Sequence, residues 1–193
     1  VSVTGGNTDA TDAAGDFVIP HSGTAPVTVS AQFSGPFSNV NRFSGLGADA
    51  SQSVPATPGV PFSIAWSDAN SRPDERTTFY HANRAHDFMK AIDPTFTELD
   101  YNMPSIVGRT DGYCPGNAWW DGTINFCAGS TSYGNTGEMQ QVVHHEFGHG
   151  IQAAILMNGS TTRSALDGAG NEEAHTFAST APQTYSSITT LAE

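Results

Sequence analysis

The chain has 193 residues, enough for one domain of ordinary size or for a small module and a catalytic unit. Nineteen acidic residues against seven basic ones give a net charge of −12, which would repel a phosphate backbone and excludes nucleic acid as a partner. This acidity suits a secreted protein and is compatible with bound Ca²⁺. No apolar run reaches the length of about eighteen residues that a membrane span requires, so we expect no membrane partner.

Residues 1–53 predict a β-rich module. Short alternating apolar runs, such as V-T-V-S-A-Q-F at 27–33, are bounded by Gly and Pro, which is typical of strands and turns. The segment V-P-A-T-P-G-V-P at 54–61 follows, and its prolines predict a stiff connector and a boundary. Residues 62–193 would then form the second unit, which opens with a predicted strand at 62–66.

The segment after Pro73 predicts a helix. Apolar residues recur at helical spacing up to Ile92, and Asp93-Pro94 ends the pattern. His81 and His86 are five residues apart and do not share a helix face. We therefore expect both to pack or to form hydrogen bonds in a core rather than to bind a metal.

Residues 95–133 alternate aromatic and β-branched residues with turn signals, which predicts mostly strands. Within them, Asp121-Gly122 is a hairpin turn signal between Cys114 and Cys127. Folding about this turn brings the cysteines opposite each other, so we favour a disulfide over two free thiols, with a cysteine metal ligand as the weaker alternative. A disulfide points to an oxidising compartment and hence to secretion. Trp119 and Trp120 are expected to fill opposite faces of the hairpin.

Residues 135–158 form the clearest predicted helix. Asn135, with Glu138 three residues later, suits an N-terminal cap, and Asn158-Gly159 suits a stop. A buried stripe is predicted along one face, comprising Met139, Val142, Val143, Phe147, Ile151, Ala154 and Ile155. Two interior glycines, Gly148 and Gly150, each cost a helix about 1 kcal/mol relative to alanine, which favours close packing near a site as their explanation.

Residues 144–149 of this helix read H-H-E-F-G-H. His145 and His149 lie four residues apart and project from one face, at the separation that two imidazoles need to share a tetrahedral Zn²⁺. Glu146 lies beside the metal position, where a carboxylate can act as general base toward a water molecule that the metal activates. His144 points about 100° away from His145 and is expected to pack rather than to bind.

Catalytic zinc usually has three protein ligands, so the chain must supply another. An extended metzincin motif is excluded because positions 152 and 155 hold Gln152 and Ile155. The segment D-G-A-G-N-E-E-A-H at 167–175 predicts a loop and a second helix capped by Asn171. Glu172 in its first turn is the predicted third ligand, and the alternatives are, in order, Glu173, His175 and Asp167.

The stretches H-E-F-G-H at 145–149 and G-A-G-N-E-E-A at 168–174 resemble the zinc-binding helices of the gluzincin peptidases, the thermolysin and fungalysin group. N-A-W-W-D-G at 117–122 is similar to that group's edge strand, and F-Y-H-A-N-R-A-H-D-F at 79–88 to the helix preceding its sheet. The resemblance implies an α+β fold, with a zincin-like unit built on a mixed or antiparallel sheet. It also implies that Asn117 and Ala118 bind the substrate backbone.

The sequence departs from this family at two points. Thr176 stands where the family has an Asp that orients a zinc-bound histidine. The family also supplies an oxyanion-stabilising His from a C-terminal helical subdomain, and no histidine follows His175 here. We expect truncation or processing, so that a further subdomain or chain completes the site; substitution by Tyr185 or Arg163 is the alternative.

These observations predict a secreted zinc-dependent endopeptidase that acts on a peptide or protein substrate, with Glu146 as general base. The alternative from another class is a non-catalytic binding or adhesion module that carries a metallopeptidase remnant. Zinc-dependent hydrolysis of a non-peptide amide is also compatible with the motif.

Overall fold

The computed structural model of the chain describes residues 1–158. Within these residues the elements are, in chain order, β1 (Ser2–Val3), β2 (Val27–Gln32), β3 (Asn39–Arg42), β4 (Ser51–Ala56), α1 (Pro73–Ile92), β5 (Pro104–Arg109), β6 (Ala118–Trp120), β7 (Ile124–Cys127), a 3₁₀ helix (Thr136–Glu138) and α2 (Gln140–Asn158). Two helices with antiparallel and mixed sheets confirm the predicted α+β class.

The smaller sheet is antiparallel, with the strand order β1-β2-β4. Its buried face gathers Val3, Val29 and Ala56, and Ile64 from the following loop packs against them. The predicted strand at 62–66 is wrong, because the Ala65 carbonyl accepts hydrogen bonds from the side chains of Gln52 and Asn70, at 2.7 and 3.0 Å, instead of joining a ladder.

The larger sheet has the strand order β3-β5-β7-β6. Strands β3, β5 and β7 run parallel, and β6 runs antiparallel to β7 at one end of the order. Side chains from β5 and β7 meet those of the two helices in the main core, which includes Val107, Ile124, Phe126, Val143 and Phe147, all of them fully buried. The antiparallel strand β6 therefore ends the sheet beside α2.

The two predicted units share this core. Strand β3 belongs to the larger sheet, and Phe33 packs against Phe79 of α1 with ring centroids 5.6 Å apart. Strand β4 extends into the predicted connector as far as Ala56. The division of the chain at residues 54–61 stays a prediction.

Helix α1 has the predicted bounds, with Pro73 in its first turn and Asp93 as its C-cap. Its start is anchored by Glu75, whose buried carboxylate accepts hydrogen bonds from the guanidinium of Arg42 at 2.8 and 2.9 Å. The backbone N–H groups of Arg72 and Ala50 donate to the same carboxylate at 2.8 and 3.0 Å. Burial alone would raise the pKa of Glu75, but these hydrogen bonds hold it below its usual value of 4.5.

Helix α2 begins five residues later than the predicted cap. Asn135 accepts a hydrogen bond from the N–H of Gly137 at 3.1 Å and so caps the 3₁₀ helix, and α2 starts at Gln140. The predicted buried stripe is confirmed at Val143, Phe147, Ile151 and Ala154. Neither α1 nor α2, within residues 1–158, is both long and apolar enough to cross a membrane.

Candidate active site

His145 and His149 lie in α2 and converge on one point. Their Nε2 atoms are 3.0 Å apart and their ring planes are almost perpendicular, at 87°. Two imidazole nitrogens that each bind Zn²⁺ at about 2.05 Å in a tetrahedral site lie about 3.3 Å apart, so the observed pair has a spacing close to that of zinc ligands. The helix carries both side chains on the same face because they are one turn apart.

Glu146 is buried beside this pair, with 5% of its surface exposed. Burial raises the pKa of Glu146 to about 7, because the ionised carboxylate loses its solvation. A group with such a pKa can both accept and return a proton at neutral pH. A cation held by the neighbouring imidazoles would favour the ionised form.

Asn117 directly precedes β6, and Ala118 is the first residue of this strand. The Asn117 carbonyl accepts hydrogen bonds from the N–H of Cys127 at 3.2 Å and from Thr136 Oγ1 at 3.0 Å, so it points toward β7. Backbone groups alternate in direction along a strand, so the N–H and C=O of Ala118 point away from β7. Within the described residues, β6 pairs with β7 alone, which leaves this edge open to an added strand.

A disulfide holds this edge strand in place. Cys114 and Cys127 are bonded as predicted, with Cα atoms 5.4 Å apart, and they join the loop before β6 to the end of β7. The hairpin turns at Asp121-Gly122, where Gly122 has φ +96° and the Asp121 N–H donates to the Thr123 carbonyl at 3.2 Å. The predicted hairpin and its bridge are therefore confirmed.

Strand β6 and helix α2 together form a cavity of about 290 Å³. It is lined by Tyr113, Asn117, Ala118, Trp119, Trp120, His145, Glu146 and His149. The cavity thus brings together every predicted site residue in the described part of the chain except the two disulfide cysteines.

The two tryptophans lie on opposite faces of the hairpin, as predicted. Trp120 packs against the main core, whereas Trp119 lies under the guanidinium of Arg109, whose Cζ is 4.8 Å from the ring centroid. Gly150 of α2 lies next to Trp120, and a Cβ built there would be 3.3 Å from its indole nitrogen. Close packing beside the cavity therefore explains this interior glycine.

Tyr113 lines the cavity, although no motif in the sequence predicts it there. Its ring lies edge-on to Trp119, with centroids 5.4 Å apart, and 65% of its surface is exposed. The available signal was its position directly before Cys114 and four residues before Asn117, since the disulfide holds that loop beside the edge strand. Loops carry no periodicity that would have indicated where the side chain lies.

The structure also contains a second histidine pair, formed by His81 and His144, which the sequence predicts to pack rather than to bind a metal. His81 Nδ1 and His144 Nε2 are 3.2 Å apart between α1 and α2, and no sequence pattern links residues 63 positions apart. Burial lowers the pKa of both, together with the positive charge of Arg84 and, for His81, the charge of His144. His86, by contrast, is buried and contacts Asp100 through Nε2 at 2.8 Å, as expected of a core histidine.

The predicted third ligand, Glu172, and its alternatives Glu173, His175 and Asp167 lie outside the described residues, as do Tyr185 and Arg163. Among residues 1–158, no group of three or more His, Cys, Asp or Glu side chains is placed to hold a metal ion. His145 and His149 thus supply two imidazoles with suitable spacing, and a complete catalytic zinc site needs one more ligand.

No protein-family model matches the chain, and the comparison with curated proteins finds no match either.

Proposed function

We propose that the chain is a secreted zinc-dependent endopeptidase that hydrolyses peptide bonds in peptide or protein substrates. One observation supports this most strongly: the Nε2 atoms of His145 and His149, 3.0 Å apart, line the same cavity as the buried carboxylate of Glu146 and the open edge of β6. A pair of ligands, a proton acceptor and a peptide-aligning strand are the components that metal-assisted peptide hydrolysis requires.

His145, His149 and Glu172 would hold the cation, the last on the strength of the gluzincin resemblance. Zn²⁺ in such a site supplies Lewis acidity toward the scissile carbonyl and lowers the pKa of water to about 7. Thr176, where that family has an Asp, leaves the orientation of the histidines to other groups.

Glu146 acts as the general base and then as the general acid. Its carboxylate accepts a proton from the attacking water and returns it to the leaving amine, so one group serves both halves of the reaction. Its burial supports this role, because a carboxylate shielded from bulk water exchanges its proton with the reactants instead of with solvent.

The edge of β6 positions the substrate. The outward N–H and C=O of Ala118 can pair with an extended peptide as a strand pairs with a sheet edge. The side chain of Asn117 is exposed next to this position and is available to hydrogen-bond the same backbone. Main-chain recognition of this kind is independent of substrate side chains, which suits a peptidase that cuts within a chain.

The test measures casein hydrolysis by the full 193-residue chain, with metal content determined on the same preparation. We expect hydrolysis that a chelator abolishes and stoichiometric Zn²⁺ restores, and Ca²⁺ is added in a parallel series because the acidity of the chain is compatible with its binding. Zinc binding without hydrolysis, or neither, would contradict the proposal and favour a binding module. Since the resemblance implies a C-terminal subdomain, the native secreted protein is assayed alongside after its intact mass is measured.

A further inference from the structure

A second pair of imidazoles has the spacing of metal ligands. His81 Nδ1 and His144 Nε2 are 3.2 Å apart, against about 3.3 Å for two nitrogens bound to one tetrahedral Zn²⁺. Their ring centroids are 5.0 Å apart and the planes are inclined by 74°, so the rings meet edge-on and do not stack.

This pair lies apart from the candidate active site. His144 precedes His145 by one residue, which places the two side chains about 100° apart around α2. His81 comes from α1, which packs along α2, and neither His81 nor His144 lines the cavity described above. Both side chains are half-buried, so one side of the pair is accessible to water and ions.

We propose that His81 and His144 form a second cation site that bridges α1 and α2. Imidazole is a ligand for borderline divalent cations, so the site takes Zn²⁺ or Cu²⁺ rather than Ca²⁺ or Mg²⁺, with water completing the coordination. Two protein ligands give a weaker site than the candidate catalytic one. By holding two helices together, a cation here stabilises the folded chain in proportion to its occupancy.

Arg84 is the charged group that both histidines experience, and its guanidinium opposes a cation at this position. Arg84 is exposed, so solvent screens the repulsion without removing it. The substitution Arg84→Gln should therefore tighten zinc binding by about three-fold. If the two rings form only a hydrogen bond and no cation site, the substitution should not change zinc binding.

The experiment removes the candidate catalytic ligands first. The double variant His145→Ala/His149→Ala of the full chain is titrated with Zn²⁺ by calorimetry, and its melting temperature is followed by circular dichroism. We expect it to bind one zinc ion and to melt at a higher temperature with Zn²⁺ present. Adding His81→Asn should abolish both effects, because the asparagine amide can still hydrogen-bond His144 but is a poor zinc ligand.

His21→Asn in the same background is the matched control, since His21 is an exposed histidine far from His81 in sequence, and it should leave zinc binding unchanged. The proposal is overturned if the double variant binds no zinc, or if His81→Asn binds it as well as the control does. Should the double variant not fold, zinc content of the otherwise unaltered chain decides: His81→Asn must lower it by one ion. None of these readouts depends on peptide hydrolysis.

Discussion

At the scale of single residues, the candidate site separates binding from proton transfer. His145 and His149 present nitrogens to one point, while Glu146, between them in sequence, is buried at the wall of the same cavity. Because neighbouring residues on a helix diverge by about 100°, a residue next to a ligand lies beside the metal position rather than at it. The two roles can therefore be removed one at a time.

The substitution Glu146→Gln should lower kcat by about 10³-fold while zinc content stays unchanged, because it removes the proton acceptor and leaves both imidazoles in place. Casein hydrolysis and metal analysis on one preparation measure both quantities. The exposed Glu138 supplies the control Glu138→Gln, which should keep full activity. Loss of zinc from the Glu146 variant would mean that its carboxylate is a ligand instead.

The third ligand can be identified by comparing two adjacent glutamates. Glu172→Ala should weaken zinc binding by at least 100-fold and abolish hydrolysis, because a catalytic site with two protein ligands holds its metal poorly. Glu173→Ala should retain both, since the two side chains point about 100° apart on the predicted helix. Zinc titration against a competing chelator gives the affinities, and the reverse result would transfer the ligand role to Glu173.

At the scale of elements, the sequence predicts the helices and hairpins whose start, end and turn residues lie close together in the chain. The bounds of α1 follow from Pro73, Asp93-Pro94 and a helical apolar repeat, and the hairpin follows from Asp121-Gly122 between two cysteines. The segment at 62–66 has strand-like residues but joins no strand among residues 1–158, and the side chains of Gln52 and Asn70 donate hydrogen bonds to its Ala65 carbonyl. Strand pairing depends on distant residues, and pattern alone cannot show it.

The same contrast holds within the site. The spacing of His145 and His149 is a property of one helix, so the sequence alone predicts that they converge. The cavity position of Tyr113 and the pairing of His81 with His144 depend on how separate elements pack, and helical or strand periodicity predicts neither. Helix spacing thus predicts the local part of the site, and the expectation that Asn117 and Ala118 belong to it comes from the resemblance alone.

The hairpin disulfide supports the edge of β6 at an element boundary. Replacing Cys114 and Cys127 by Ser should destabilise the chain by about 3 kcal/mol, as expected for a bridge closing a loop of this length. It should also raise KM more than it lowers kcat, because the disulfide links the loop before β6 to the end of β7, whereas the α2 residues are not altered. Denaturant unfolding and steady-state kinetics measure the two effects. An unchanged KM would argue against β6 as the substrate strand.

At the scale of the whole molecule, one buried carboxylate connects helix α1 to the N-terminal region. Glu75 of α1 binds Arg42 of β3 and the backbone N–H of Ala50, which precedes β4. The larger sheet, the smaller sheet and the first helix thus meet at a single charged group. A buried ion pair of this kind is costly to break, because the remaining partner is left as an unpaired charge.

The substitution Glu75→Gln should therefore destabilise the chain by about 3 kcal/mol at pH 7, since it leaves Arg42 unpaired. It should also reduce the fall in the free energy of unfolding as the pH is lowered below about 4.5. Folding lowers the pKa of Glu75 below 4.5, so its ionised form contributes stability above that pH, and this contribution is lost as the pH falls through the lower, folded-state value. The unaltered chain is expected to lose stability steeply below about pH 4.5 for this reason.

Urea unfolding between pH 7 and pH 3 measures this dependence in the unaltered chain, in Glu75→Gln and in the exposed control Glu138→Gln. The Glu75 variant should keep the smaller slope that surface carboxylates contribute, such as Asp100, whose pKa is lowered by hydrogen bonds from Lys90 and His86. Equal slopes in all three proteins would show that the Glu75 carboxylate does not couple the sheets to α1. The sheets would then depend on the apolar contact of Phe33 with Phe79, which does not titrate.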